Sequence, residues 1–203
     1  MQHYFQQANF TQSAASPSSL PAEIGLEAAF AGRSNSGKSS TINRLCSQKG
    51  LARTSKTPGR TQLINFFGLP DENHLVDLPG YGYAKVPENI KLQWQKFIET
   101  YLTTRKNLKG LILVMDIRHP MAEFDKKLLA WAEFQTWAVH ILLNKADKLK
   151  RGPANATLFE VCKQLKNESF TASAQIFSAE TGQGLDELYE VLSDWLALHP
   201  SKA

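Results

Sequence analysis

Residues 32–39 read Gly32-Arg33-Ser34-Asn35-Ser36-Gly37-Lys38-Ser39, the spacing G-x-x-x-x-G-K-[ST]. Glycines at both ends let the backbone wrap closely around an anion, so that successive N–H groups point inward. Just before the loop, residues 26–31 form a short apolar run of the kind that makes a buried strand. Just after it, residues 38–46 read as a helix whose positive dipole end faces the same anion. Strand, glycine loop and helix together predict a cradle for the phosphates of a nucleoside triphosphate. Lys38 is placed to reach the β- and γ-phosphates, and the Ser39 hydroxyl to bind Mg²⁺. This context distinguishes the stretch from a chance Gly/Ser-rich loop, but the loop alone does not name the base.

Outward from the loop, strands and helices alternate. Strands are expected at residues 62–69 and 75–78, separated by the turn signal Pro70-Asp71-Glu72-Asn73. Trp94, Phe97, Ile98, Tyr101 and Leu102 recur at helical spacing and mark an amphipathic helix. There follow a buried strand at 111–115, a helix over 124–135 and a strand at 139–143. A helix near 156–166, a strand around 175–177 and a last helix over 185–196 complete the pattern. Such alternation predicts an α/β fold in three layers, a mostly parallel sheet flanked by helices. Residues 1–22, rich in Gln, Ser, Ala and Pro and without a charged carboxylate, ammonium or guanidinium side chain, read as a flexible tail. That tail is expected to lend at most a short edge strand near Phe10. Residues 23–200 are expected to form a single domain.

The composition is that of a folded soluble chain: 203 residues, 42% apolar and 21% charged, which excludes a largely disordered protein. Two cysteines, Cys46 and Cys162, cannot build a disulfide framework or a four-ligand zinc site. Both fall in expected helices and are read as buried, reduced thiols, which suits a cytoplasmic setting. The longest uninterrupted apolar run, residues 111–115, is far below the roughly 20 residues of a spanning helix, so no membrane segment is expected. No Lys or Arg precedes Arg33 and no apolar core follows the start, so no secretory leader is expected.

Two further motifs name the ligand. Asn144-Lys145-Ala146-Asp147 directly follows an expected strand, the end at which open α/β sheets bind ligands. An Asp carboxylate there accepts two hydrogen bonds, from N1–H and the 2-amino group of guanine. Adenine offers neither donor, so the acceptor would go unpaired. Alone, the same residues suit an ordinary turn; behind a phosphate loop they are specific. Asp77-Leu78-Pro79-Gly80 is D-x-x-G at a strand end, where Asp77 can hold Mg²⁺ through water and the Gly80 amide can meet the γ-phosphate. The breaker-rich segments 48–60 and 79–89 are expected to order on GTP and relax after hydrolysis.

With these motifs in this order, the chain resembles the P-loop (Ras-like) GTPases related to translation factors. It is most similar to the EngB/YihA-type branch of the Era-like group, whose members act in bacterial ribosome assembly. The closer match is carried by Gly32 to Ser40, Thr57-Pro58-Gly59-Arg60-Thr61-Gln62, Asn65-Phe66-Phe67, Asp77-Leu78-Pro79-Gly80-Tyr81-Gly82-Tyr83-Ala84, Asp116-Ile117-Arg118-His119-Pro120 and Asn144-Lys145-Ala146-Asp147-Lys148. The resemblance implies that Thr61, rather than Thr57, is the second protein ligand to Mg²⁺. It places Gly59, Arg60, Thr61, Gln62 and Leu63 along the nucleotide, with Lys38, Thr61 and Gly80 at the reacting phosphate. It makes Phe177-Ser178-Ala179 the last guanine-binding element, the Ala179 amide near the base oxygen. It also suggests a K⁺ ion beside the phosphates at Asn35.

Ras-like GTPases orient the attacking water with a glutamine just after D-x-x-G; here the residue is Tyr81. A phenol cannot donate and accept as an amide does, so slow intrinsic hydrolysis is expected and Tyr81 is read as packing. Residues 44–60 carry five basic side chains, Arg44, Lys49, Arg53, Lys56 and Arg60, and no acid, against a net +4 for the whole chain. Such a run in isolation suits a solvated loop. Together with the resemblance it is read as a contact for rRNA of the large-subunit precursor, extended by Lys85, Lys91 and Lys96. The five histidines show no metal-ligand spacing, and the four tryptophans are read as packing. A monomer is expected. A GTP-dependent scaffold in cell division and, less consistent with Asn144–Asp147, a P-loop small-molecule kinase remain as alternatives.

Overall fold

The computed structural model describes residues 1–53, 63–81 and 88–198. Seven strands, β1 (Asn9–Ala14), β2 (Glu27–Gly32), β3 (Ile64–Gly68), β4 (His74–Asp77), β5 (Leu108–Asp116), β6 (Ala138–Asn144) and β7 (Ala172–Ile176), form one sheet of order β1-β3-β4-β2-β5-β6-β7. β4, β2, β5, β6 and β7 pair in parallel; β3 is antiparallel to both β1 and β4. The helices are α1 (Gln2–Phe5), α2 (Lys38–Leu45), α3 (Glu88–Thr104), α4 (Glu123–Phe134), α5 (Arg151–Asn167) and α6 (Leu185–Trp195).

Period-two alternation on the central strands divides the core in two. Ala29, Ala31, Leu111, Leu113, Ile141 and Leu143 face α3, α4 and α5, where Tyr101, Leu129 and Val161 cover them. Ala28, Phe30, Ile112, Val114 and Leu142 face the other way, under Phe5, Ile42, Leu45, Leu188 and Leu192 of α1, α2 and α6. Helices on both faces explain why β2 is buried along its whole length. Each buried leucine contributes about 1.5–3 kcal/mol. No described helix is long and apolar enough to cross a membrane.

The expected elements are present, with three differences. α5 begins at Arg151, well before residue 156. Gly152 and Pro153 look like breakers, but first-turn amides have no helical partner, so a missing N–H there is harmless. The segment expected to be a loose tail is held down. β1 pairs with β3 as the expected edge strand, and Phe5 is fully buried and stacks on Tyr189 at 5.4 Å. The Tyr4 hydroxyl donates to Pro70 O at 2.7 Å, and Gln48 Nε2 donates to Gln6 O and Ala8 O. Finally, Cys162 is exposed, on the outer face of α5, whereas Cys46 is buried and its thiol is pushed up to about 12 by that burial. Phe97, Tyr101 and Leu102 of α3 pack inward as expected; the Trp94 side chain lies outside the described residues.

Parallel pairing also gathers the motifs. Phe30 is level with Asp77, Gly32 with Val114, and Asp116 with Asn144, so the carboxyl ends of β2, β4, β5 and β6 share one edge. At the opposite edge Glu27, fully buried, accepts from Arg105, from the Tyr101 hydroxyl at 2.8 Å and from Asn107 Nδ2 at 3.2 Å.

Candidate nucleotide-binding site

At the shared edge β2 ends in Gly32 and the chain turns through residues 33–37 into α2. Gly37 takes φ 97°, and a Cβ there would lie 2.2 Å from Asn144 Nδ2, so only glycine fits. Ser34 N–H donates to Tyr81 O at 2.9 Å, which ties the loop to the chain just after D-x-x-G. Lys38 opens α2 and pairs with Asp77 from the end of β4, each side chain about nine-tenths buried. A cavity of about 1150 Å³ is lined by Ser34, Asn35, Lys38, Ser39, Asp77 and Gly80, and also by Leu63. The size suits a nucleotide. A hydroxyl (Ser39) and a carboxylate (Asp77) on one cavity are hard oxygen donors of the kind Mg²⁺ takes, so the residues present fit that ion.

The base side is stitched to this loop by hydrogen bonds. Asn144 Nδ2 donates to Ser36 O at 2.9 Å, while its Oδ1 accepts from Ala179 N–H at 3.1 Å. Lys145 adopts φ 67° and Asn35 φ 64°, left-handed conformations that cost about 1–3 kcal/mol each in residues other than glycine. That backbone turn lets Lys145 Nζ donate to Asn35 O at 2.5 Å and to Asp116 Oδ2 at 2.9 Å. Asp116 is also gripped by the Arg118 guanidinium, which with Lys145 holds its carboxyl well below the usual carboxylate range. Ala146 N–H donates to Phe177 O at 3.1 Å, joining the loops after β6 and β7. Asp147 Oδ2 lies 2.9 Å from Lys148 Nζ and Oδ1 accepts from the Ser178 hydroxyl at 2.7 Å; both lower its pKa. The carboxylate is therefore held in its ionised form and in one orientation by these two partners.

Tyr81 is buried; its ring stacks on Phe124 at 4.5 Å, and its hydroxyl donates to Asp125 Oδ1 at 2.7 Å. The phenol thus points into the α4 side of the core rather than toward the phosphates, in agreement with the packing role read from sequence. Gly32 to Ser39, Leu63, Asp77 to Gly80, Asn144 to Asp147 and Phe177 to Ala179 all lie along the one sheet edge or border its cavity. Gly59, Arg60, Thr61 and Gln62 lie outside the described residues, as do Lys56 and Lys85; Lys91 has no described side chain.

One of the basic residues assigned to RNA also serves the fold. The Arg44 guanidinium donates from Nε to Ala179 O at 2.6 Å and from a terminal nitrogen to Glu180 O, so two of its five N–H groups are engaged within the fold. Lys49 and Arg53 are exposed. The roles of Asp125 and Arg44 were not legible in sequence, since their partners lie 44 and 135 residues away. Asp116 carried a signal, an acid at a strand end within a quoted motif, but not its bond to Lys145.

Phosphate loop, D-x-x-G and N-K-x-D on the carboxyl edge of this sheet define a P-loop GTPase. Residues 27–145 match the family described as 50S ribosome-binding GTPase, and the chain belongs to that family. Among solved structures, the fold is similar to that of a probable GTP-binding protein engB, with a TM-score of 0.67 and 20% identity, covering 85% of this chain and 100% of that one. It is also similar to Era in complex with MgGDPNP and nucleotides 1506–1542 of 16S ribosomal RNA (TM-score 0.63, 22% identity, 85% of this chain and 57% of that one). A bacterial selenocysteine-specific elongation factor, EF-Sec, shares the fold at TM-score 0.59 and 22% identity over 88% of this chain and 30% of that one.

Proposed function

We propose that the chain is a GTP-operated switch, a cytoplasmic monomer with slow intrinsic turnover, that engages the large ribosomal subunit during its assembly. The observation that carries the guanine reading is the pre-oriented Asp147 carboxylate, held by Lys148 and Ser178 beside the Asn144–Ala179 contact. Asp147 accepts guanine N1–H and the 2-amino group, and Ala179 N–H faces the base oxygen once Asn144 yields it. Lys38 exchanges Asp77 for the β- and γ-phosphates, and Gly80 N–H donates to the γ-phosphate. Ser39 and, by the resemblance, Thr61 would hold Mg²⁺ with help from Asp77; when bound, the ion would neutralise phosphate charge. By the family resemblance, Gly59, Arg60, Gln62 and Leu63 are assigned to the nucleotide, and Asn35 would hold K⁺.

Slow hydrolysis follows from Tyr81, whose hydroxyl is engaged by Asp125 and offers no group to orient the attacking water. Lys49 and Arg53, both exposed, supply cations for rRNA phosphates, and the sequence adds Lys56 and Arg60 to the same basic run. The family description and the RNA-bound state of the Era relative support this partner class. The test is cosedimentation with large-subunit precursor particles in GTP-analogue and GDP states, with wild type and a Lys49→Ala, Arg53→Ala, Lys56→Ala triple variant. Association is expected in the GTP-analogue state, with the triple variant reducing the log–log salt slope by about 2–3. Equal association in both nucleotide states, or none lost in the variant, would sink the reading.

A further inference from the structure

The helix that starts at the phosphate loop ends against the guanine loop. Arg44 sits in the last turn of α2, and one planar guanidinium bonds two successive carbonyls, Ala179 O through Nε at 2.6 Å and Glu180 O through a terminal nitrogen. Both carbonyls belong to the loop after β7. On the base side, that loop is already tied by Ser178 to Asp147 and by Ala179 N–H to Asn144. Within itself it is closed by Gly182 N–H to Ser178 O at 2.8 Å and Ser178 N–H to Gln183 O at 3.0 Å. Arg44 holds it from the back. A fork on two carbonyls sets direction as well as distance, which a lysine point charge does not. Ala179 is therefore held through the two peptides that flank it, its N–H on Asn144 and its carbonyl on Arg44.

We propose that Arg44 is a positioning residue for nucleotide binding, which clamps the Ala179–Glu180 carbonyls and thereby slows nucleotide release. The inference rests on reading residues 144–147 and 177–179 as the guanine subsite. Because the clamped loop meets the base and not the γ-phosphate, the effect is the same for GDP and GTP. It also means that the α2 helix ties the phosphate and base subsites together, so neither relaxes without the other.

The test is release of a fluorescent GDP and of a fluorescent non-hydrolysable GTP analogue, chased with unlabelled nucleotide, in wild type, Arg44→Ala and Arg44→Lys. Asp147→Ala is measured alongside for its guanine-over-adenine preference. Loss of two charge-assisted bonds predicts release about tenfold faster or more for both nucleotides. Arg44→Lys is expected to fall between, and single-turnover hydrolysis of bound GTP to move by less than twofold. Unchanged release in Arg44→Ala, with guanine preference abolished in Asp147→Ala, overturns the clamp alone. Guanine preference that survives Asp147→Ala overturns the subsite reading beneath it. Faster release of the triphosphate only also overturns the clamp, and so does absence of any rescue by lysine with a lowered melting temperature of the nucleotide-free protein. If Arg44→Ala does not fold, Arg44→Gln carries the same comparison.

Discussion

Tyr81→Phe separates a packing role from a catalytic one. The ring is 4% exposed and stacks on Phe124, and neither feature needs the hydroxyl. The hydroxyl gives its proton to Asp125 Oδ1 at 2.7 Å, while Asp125 Oδ2 accepts Ala122 N–H at 3.0 Å at the start of α4. Asp125 is 1% exposed, so the variant strands one oxygen of a buried carboxylate. A buried acceptor left unpaired costs about 1–3 kcal/mol, and the upper half applies to a charged one. For a chain of this size that corresponds to a melting temperature lower by roughly 4–12 °C. The pH dependence has a definite sign. Burial raises the Asp125 pKa, and the bond from Tyr81 opposes that rise. A carboxyl whose folded pKa lies above its unfolded one binds more protons in the native state, so stability falls as pH rises between the ordinary carboxylate range and the raised value. Removing the phenol raises that value further, and the deficit of Tyr81→Phe is larger near pH 8 than near pH 5. Thermal melting at both pH values and single-turnover GTP hydrolysis on the same preparations check this. Hydrolysis per folded molecule is expected within twofold of wild type. A tenfold fall in hydrolysis with unchanged melting would refute the reasoning.

Lys38→Ala leaves Asp77 without its ammonium partner in the largely buried pair, and on the proposed phosphate role of Lys38 GTP affinity should drop roughly 10–150-fold in a fluorescence titration. Unaltered affinity would mean that Lys38 serves Asp77 alone. Arg105→Met strands the fully buried Glu27 with only Tyr101 and Asn107 as donors, and should cost about 3–5 kcal/mol in denaturant unfolding. Because Glu27 lies at the amino end of β2, opposite Gly32, the folded fraction should bind GDP as wild type does, and a changed affinity would count against that separation.

The parallel core was legible because its signals are local. Alternation along residues 28–31 and 111–115 places small and large apolar residues on two faces, and the helices that cover them show their own period. The N-terminal segment was not legible for a related reason. Its composition is that of a loop, and it is fixed by Phe5 entering a pocket made by α2 and α6 and by Tyr4 bonding across to Pro70 and Asn73. Only tertiary context distinguishes that phenylalanine from a surface one. The start of α5 was obscured by the opposite error, since Gly152 and Pro153 break helices in the interior but are tolerated in a first turn.

The site shows the same division more sharply. Gly32 to Ser39, Asp77 to Gly80 and Asn144 to Asp147 are contiguous, so their residue types and spacing can be read as motifs directly from the sequence. What each side chain holds is another matter. Asn144 reaches both Ser36 O and Ala179 N–H, and Lys145 both Asn35 O and Asp116. These bonds fix the loop after β6 against the phosphate-loop motif and the loop after β7. Arg44 is the instructive case, because a count of charges along residues 44–60 treats all five cations alike. A guanidinium has five N–H donors, and two of those of Arg44 already serve the carbonyls of Ala179 and Glu180. Arg44 can therefore meet a phosphate only with the rest of its fork, in the orientation that those two carbonyls fix. Lys49 and Arg53, by contrast, are exposed.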